Sequence, residues 1–535
     1  MLPSLLLFLA VVMLACTAFL KLSVRLGIPA LLAFLFLGML FGSDGLFKIA
    51  FDDYAVTEQI CSVALIFIMF YGGFGTNWRA ARPVAVPSIL LSSVGTLLTA
   101  LLTGGFCHFV LGMPLLQGLL CGAVLGSTDA ASVFSILRAR NLALKENTDS
   151  LLEVESGSND PFAYMLTAVL LAAMETGITP GGAALLLVKQ LAFGLVFGFG
   201  VGMAALWLLR RLRFAFSGSD TILVVATALL AYAAPTLLGG NGFLSVYIAG
   251  IILGNGDIGR KETLVPFFDG VTSIMQMVLF FVLGLLSYPS RMPAVLLPAL
   301  GIALFLTLVA RPVAVFLLMT PFKGSLGQKL LVSFSGLRGA ASVVFAVMAV
   351  ISPAYIEMDI FHIVFVVVLF SILVQGSLLP AVARHLDMID TKGNVLKTFN
   401  DYVDEAPVQF IQVSVPAGHA WCGKAVREIL LPPGTILVSL RRGDQTLVPD
   451  GNTVLQPDDL LVLCALEQEQ APAAALTEKV IAAGDLPESK RLADLPRRAG
   501  ALIVLIRRGE EYLIPNGDTV LQDGDLLVIN NTEAH

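Results

Sequence analysis

The 535 residues are 57% hydrophobic and 13% charged, with a mean hydropathy of +0.86, which excludes one large soluble domain and indicates a polytopic membrane protein. The net charge of −6 carries no topology, because orientation depends on where Lys and Arg lie. Cys16, Cys61, Cys107, Cys121, Cys422 and Cys464 form no CxxC pair or metal-ligand spacing, and because most sit in apolar stretches they read as small buried hydrophobes rather than a disulfide framework.

Taken in order, the polar breaks leave thirteen apolar stretches: 3–20, 27–42, 58–75, 85–110, 114–138, 150–174, 182–209, 220–238, 241–255, 265–287, 293–320, 328–351 and 358–381. The first resembles a signal peptide, but Met1-Leu2-Pro3-Ser4 has no basic residue, so an uncleaved helix is expected. The second and ninth are short, and polar, glycine-rich runs interrupt the fifth and twelfth. Alternate loops collect the basic residues: Lys21 and Arg25; Arg79 and Arg82; Arg138, Arg140 and Lys145; Arg210, Arg211 and Arg213; Arg260 and Lys261; Lys323 and Lys329. The positive-inside rule then places the N-terminus outside and everything after residue 385 in the cytoplasm.

The sequence repeats itself. Gly126-Ser127-Thr128-Asp129-Ala130-Ala131-Ser132-Val133 returns as Gly336-Leu337-Arg338-Gly339-Ala340-Ala341-Ser342-Val343. Gly27, Gly38 and Gly42 return as Gly239, Gly250 and Gly254 at nearly the same offset. The matches pair stretch 5 with 12 and 2 with 9. Seven crossings separate them, so the halves face opposite ways. Inverted repeats with interrupted helices mark a secondary transporter whose site lies near the midplane.

The sixth stretch contains Glu155-Ser156-Gly157-Ser158-Asn159-Asp160-Pro161. Charged side chains deep in a membrane are costly and usually line a path or site. A carboxylate at Asp160 is neutralised by a proton or by a metal cation, but not well by both. Opening it to alternate sides exchanges one for the other. Asn159 and Ser156 supply neutral oxygens that replace part of a hydration shell, and Thr128 and Asp129 complete the set from the broken fifth helix. The blander reading makes the motif a helix start, with Ser or Asn at the N-cap and Pro161 in the first turn. Glu155 and Arg338 are expected to meet as a structural ion pair, while Arg311 is expected to snorkel. Gln276, His108 and His362 read as satisfied local polar groups.

These motifs resemble those of bacterial NhaP-type monovalent cation:proton antiporters, closest to the CvrA-like K+/H+ branch. The resemblance implies an all-α NhaA-like membrane fold of about 13 helices followed by small cytoplasmic α+β domains. It also implies a homodimer in the inner membrane, an elevator-like movement of a core domain and electroneutral exchange, with transported K+ or Na+ held at Asp160, Thr128 and Ser156. In the family the position of Asp160 carries the exchanged ions, Asn159 marks the electroneutral subclass, and Glu155 and Arg338 match a conserved pair. Two departures stand out. Tyr71 precedes Gly72-Gly73 where relatives often have an acid, and Ala130 follows Asp129 where many have Pro.

After the expected membrane domain (1–385) and a linker (386–406), residues 407–466 alternate apolar and polar in strand-length runs. Arg441-Arg442-Gly443 and Thr453-Val454-Leu455-Gln456 return as Arg507-Arg508-Gly509 and Thr519-Val520-Leu521-Gln522, which suggests a duplicated module. A second linker is expected over 467–494 and a partial copy, without its opening strand, over 495–535. The first copy resembles the C-terminal subdomain of regulators of K+ conductance (TrkA-C type). The resemblance implies a small regulator such as cyclic di-AMP or another adenine nucleotide, although a dimerising or autoinhibitory role fits equally. Two other classes compete with the transporter reading. Gly254-Asn255-Gly256-Asp257 matches the GxGD pattern of intramembrane aspartyl proteases, but Asp257 lies at a helix end beside Arg260 and Lys261. A K+ channel would need a filter of the TVGYG kind, which is absent from the sequence.

Overall fold

The computed structural model describes residues 2–26, 30–140, 142–211, 218–258, 261–354, 356–390, 408–432, 434–443, 445–466, 476–481, 491–492, 501–508, 511–513 and 515–531. Gly27 of the expected repeat and most of both expected linkers lie outside these residues. The chain divides into two units, Met1–Val403 and Asp404–His535, each taken by itself below.

The first unit is helical: α1 (Leu2–Leu26), α2 (Ala30–Phe41), α3 (Tyr54–Gly75), α4 (Trp78–Phe109), α5 (Leu115–Val124), α6 (Ala130–Ala139), α7 (Thr148–Thr176), α8 (Pro180–Arg211), α9 (Ser219–Leu237), α10 (Gly242–Asn255), α11 (Lys261–Leu286), α12 (Pro289–Phe322), α13 (Leu326–Phe334), α14 (Ala340–Ile351) and α15 (Ile360–His385). Helix occupies every expected stretch. Seven helices among the described residues are long and apolar enough to cross a membrane by length and composition alone. At 29 residues α7 is long enough, but Asp149, Glu153, Glu155, Asp160 and Glu175 spoil its hydropathy.

Repeat symmetry shows in packing as well as in sequence. The short α2 lies against α11 where Gly38 faces the Phe281 carbonyl, and a Cβ there would fall 2.1 Å from that oxygen. Also short, α10 lies against α3 where Gly250 faces the Phe70 carbonyl, with the corresponding distance 2.3 Å. Only a residue without a side chain permits such backbone contact, which locks each pair at the same height. The interrupted helices, α5–α6 and α13–α14, break at residues 125–129 and 335–339 and cross there. The Asp129 N–H donates to the Leu337 carbonyl at 2.8 Å, so one break supplies the other with a backbone partner.

The second unit contains two four-stranded sheets of one topology. β3 (Val408–Val415), β4 (Thr435–Arg442), β5 (Gln445–Leu447) and β6 (Asp459–Leu466) take the order β3-β6-β4-β5. β7 (Leu476–Val480), β8 (Ala501–Arg508), β9 (Glu511–Leu513) and β10 (Leu526–Asn531) take the order β7-β10-β8-β9. The short strands β1 (Ala143–Leu144) and β2 (Ile389–Asp390) pair in the first unit. The second copy is therefore not partial, because its opening strand β7 lies inside the expected linker. Leu476-Thr477-Glu478-Lys479-Val480 places two charges in mid-run, the composition of an edge strand, and this hides the alternation. Among the described residues neither copy contains an α-helix; the first has the 3-10 turn Val426–Glu428. Each sheet is pinned alike: Arg442 chelates Asp459, and Arg508 chelates Asp525, with two 2.8 Å hydrogen bonds apiece.

Candidate cation site

α7 runs unbroken through Pro161, so the motif is not a helix start. Proline has no N–H for the carbonyl one turn back, that of Gly157, and the helix stays joined because its neighbours hold it. Asn241, which caps α10, donates to the Pro161 carbonyl at 2.8 Å. The Tyr247 ring packs against Gly157, where a Cβ would fall 2.6 Å from it.

The same turn of α7 faces the break after α5 and is knitted to it. The Ser127 hydroxyl donates to the Asp160 carboxylate. The Thr128 N–H donates to Asn159 Oδ1 at 3.3 Å, Asn159 Nδ2 donates to Thr128 Oγ1 at 2.5 Å, and Ser156 Oγ donates to the Thr128 carbonyl at 2.7 Å. Asp129 caps α6 through the Ser132 N–H and hydroxyl. Its side chain rests on Gly339 of the opposite break, where a Cβ would lie 2.4 Å from that of Asp129.

Asp160, Ser127, Thr128, Asp129 and Ser156 line a cavity of about 290 Å³, with Tyr71 and Tyr247 on its wall. Asn159 is buried behind them, occupied by Thr128. The cavity extends past Glu153, Gln276 and Asp269 towards the starts of α7 and α11, the side of the Arg- and Lys-rich loops. Glu153 and Asp269 went unread in the sequence, and Gln276 was read as a local polar group. A signal was present: Glu153, Ser156, Gly157 and Asp160 follow helical spacing and so share one face of α7. Ser127 was also missed, although it adjoins Thr128 in the repeated motif. His108 and His362 do bond locally, to the Met113 carbonyl and to Asp359 with the Tyr288 N–H.

The buried charges pair differently from the sequence expectation. Glu155 meets Arg311, with Nη1–Oε1 at 2.5 Å and both side chains buried. Arg311 does not snorkel. It passes over Gly336, where a Cβ would fall 2.8 Å from its Nε. Arg338 instead points Nη1 at the carbonyls of Leu125 and Ser127, at 2.5 and 2.8 Å. Breaking a helix orphans its last carbonyls, and a cation suits the negative end of the helix dipole. That demand claims Arg338 and leaves Glu155 to the arginine on α12. Gln375 serves the other break in the same way, donating to the Phe334 carbonyl at 2.7 Å.

A half-buried carboxylate among hydroxyls, set where two broken helices cross and lining a cavity of a membrane bundle, defines a cation:proton antiporter. The chain belongs to the sodium/hydrogen exchanger family, whose transmembrane profile matches residues 10–385; the TrkA-C domain profile matches 410–473 and 480–530. It is 37% identical to the K(+)/H(+) antiporter NhaP2 of Shewanella baltica over 456 residues, 84% of this chain and 78% of that protein. It is 34% identical to the K(+)/H(+) antiporter NhaP of Alkalimonas amylolytica, over 83% of this chain and 78% of that protein. Among solved structures, the sodium proton antiporter MjNhaP1 from Methanocaldococcus jannaschii at pH 8 superposes with a TM-score of 0.63 at 24% identity, covering 72% of this chain and 99% of that one.

Proposed function

We propose that the protein exchanges K+, or Na+, for H+ one for one across the bacterial inner membrane, as a homodimer with its N-terminus outside and its tail in the cytoplasm. The carrying observation is that Asp160 faces the cavity with Ser127 bonded to it, while its neighbour Asn159, an amide rather than a second acid, is spent on Thr128. One carboxylate that alternates between proton and cation, with the Asp129 charge fixed by its Ser132 hydrogen bonds, means one charge in for one charge out, and no net current. Asp160 carries the exchanged proton or cation. Thr128, Ser156 and Asp129 supply neutral and charged oxygens to the cation, with Tyr71 on the wall. Glu155–Arg311 and Arg338 hold the frame. The cavity reaches the basic-loop side, so this conformation faces the cytoplasm.

K+ is favoured by the relatives at 34–37% identity, both described as K(+)/H(+) antiporters. A Na+(Li+)/H+ antiporter of the same fold is the second reading. It is favoured by the Na(+)/H(+) antiporter ApNhaP of Aphanothece halophytica, 25% identical over 65% of this chain and 68% of that protein. Residues 1–385 transport, and the two TrkA-C-like copies regulate, by binding a cyclic di-AMP-like nucleotide or by dimerising. Dequenching of a pH dye in everted vesicles, titrated with K+, Na+ and Li+ in turn, tests the proposal. The expected result is recovery at the lowest concentration with K+, insensitive to membrane potential. Dequenching by none of the three rejects exchange, and a rate that follows the potential rejects one-for-one stoichiometry.

A further inference from the structure

On the side away from the basic loops, aromatic rings gather one turn beyond Asp160. Tyr164 stands one turn beyond Asp160 on α7 and covers the same face. Its ring meets Phe243 of α10 edge-on at 5.1 Å and Phe345 of α14 at 6.0 Å; Phe243 in turn meets Tyr232 of α9 at 5.0 Å. Four rings from four helices thus meet one turn of α7 beyond Asp160.

A carboxylate lies beyond them. Glu58, half-buried one turn inside α3, accepts from the Ser62 hydroxyl at 2.7 Å. It sits within electrostatic reach of both the Tyr164 and Tyr232 phenols, and Ser62 adjoins Tyr232. Among the described residues no Lys, Arg or His forms an ion pair with it. One turn nearer the outer end of α3, Tyr54 walls a second cavity, of about 510 Å³, together with Ala349 of α14. One turn deeper than Ala349 on α14 is Phe345. On each of these two helices the cavity wall is thus followed one turn deeper by a residue of this group, Glu58 on α3 and Phe345 on α14, and Phe345 meets Tyr164.

An acid without a cationic partner, inside an apolar helix, calls for a polar ligand. We propose that Glu58, with Ser62 and the Tyr232 hydroxyl, is an outer coordination site for a partly hydrated alkali cation. Tyr164, Phe243, Phe345 and Tyr232 form the gate between it and Asp160. This rests on the exchange reading of Asp160 and adds the outer half of the route. A cation entering through the outer cavity exchanges some of its water for the carboxylate and hydroxyl oxygens, and reaches Asp160 when the rings part.

The test compares right-side-out and everted vesicles carrying the full-length protein, with the cation varied on one face at a time. Glu58→Gln raises KM at the outer face about five-fold and leaves the inner-face KM and the maximal rate within about two-fold. Glu58→Asp restores most of the outer affinity. Ser62→Ala, which removes a hydroxyl and no charge, raises the outer KM about two-fold, and decides the matter if Glu58→Gln does not reach the membrane. An unchanged outer KM, or an equal rise on both faces, overturns the proposal. Absence of exchange by the unmodified protein overturns the reading of Asp160 itself, and this proposal with it.

Discussion

The crossing of the two breaks makes a quantitative demand on Gly339. Its backbone is extended, with φ −127° and ψ −163°, so alanine fits there conformationally and any effect of the substitution is steric. In Gly339→Ala the new Cβ falls 2.4 Å from Asp129 Cβ and 2.6 Å from its Oδ2. Carbon atoms ordinarily rest about 3.5–4.0 Å apart, so one strand of the crossing must retreat by about 1 Å. Overpacking of this kind costs about 1–3 kcal/mol. Opening the 2.8 Å bond from the Asp129 N–H to the Leu337 carbonyl adds about 1–2 kcal/mol, because Leu337 is fully buried and Asp129 half-buried. The total is about 2–5 kcal/mol, borne by the segment that presents Ser127 and Thr128 to Asp160. A misplacement near 1 Å at a reacting centre lowers turnover about 10²-fold. The assay pairs cation-induced dye dequenching in everted vesicles with the melting temperature of the solubilised protein. Exchange and melting temperature both at the unmodified level would refute the crossing as described.

Three further outcomes follow from particular contacts. Arg311→Ala strands Glu155 in the core and destabilises by about 3–5 kcal/mol, read as reduced membrane yield. Removing both charges with Glu155→Gln and Arg311→Met recovers most of that yield. In the tail, Arg442→Ala leaves the buried Asp459 carboxylate without its partner and costs its module about 2 kcal/mol, seen as faster proteolysis within 408–466. The hydrogen bonds donated by Arg442 and Arg508 hold Asp459 and Asp525 below the usual carboxylate range. Their stabilisation is therefore complete above the ordinary carboxylate value of about 4 and is lost as the pH falls from there through the depressed values. Proteolysis of the unmodified tail is flat from pH 8 to about pH 5 and accelerates only below about pH 4.

How much of this the sequence carried depends on the kind of signal. Hydropathy and polar punctuation located every helical stretch. The repeat located both breaks, because polar and glycine residues inside an apolar run mark where a helix stops against protein rather than lipid. Asp160, Ser156, Thr128 and Asn159 were legible because membrane burial makes each polar residue conspicuous. The partner of Glu155 was not. Which of two arginines reaches it depends on where the orphaned carbonyls of Leu125 and Ser127 point, and no spacing encodes that. Glu153 was legible in principle, on the Asp160 face of α7, but Asp269 joins the cavity only through the packing of α11. Strand β7 was hidden because edge strands tolerate the charges that central strands exclude.

The central claim is that Asp160 carries both ions by turns, and Asp160→Asn tests it most directly, since the amide keeps the shape and removes the charge. Purified into vesicles with a trapped pH dye and challenged with K+ and Na+, the variant should insert and assemble like the unmodified protein yet give no cation-induced proton movement. Exchange at the unmodified rate by a correctly inserted Asp160→Asn protein would contradict the account.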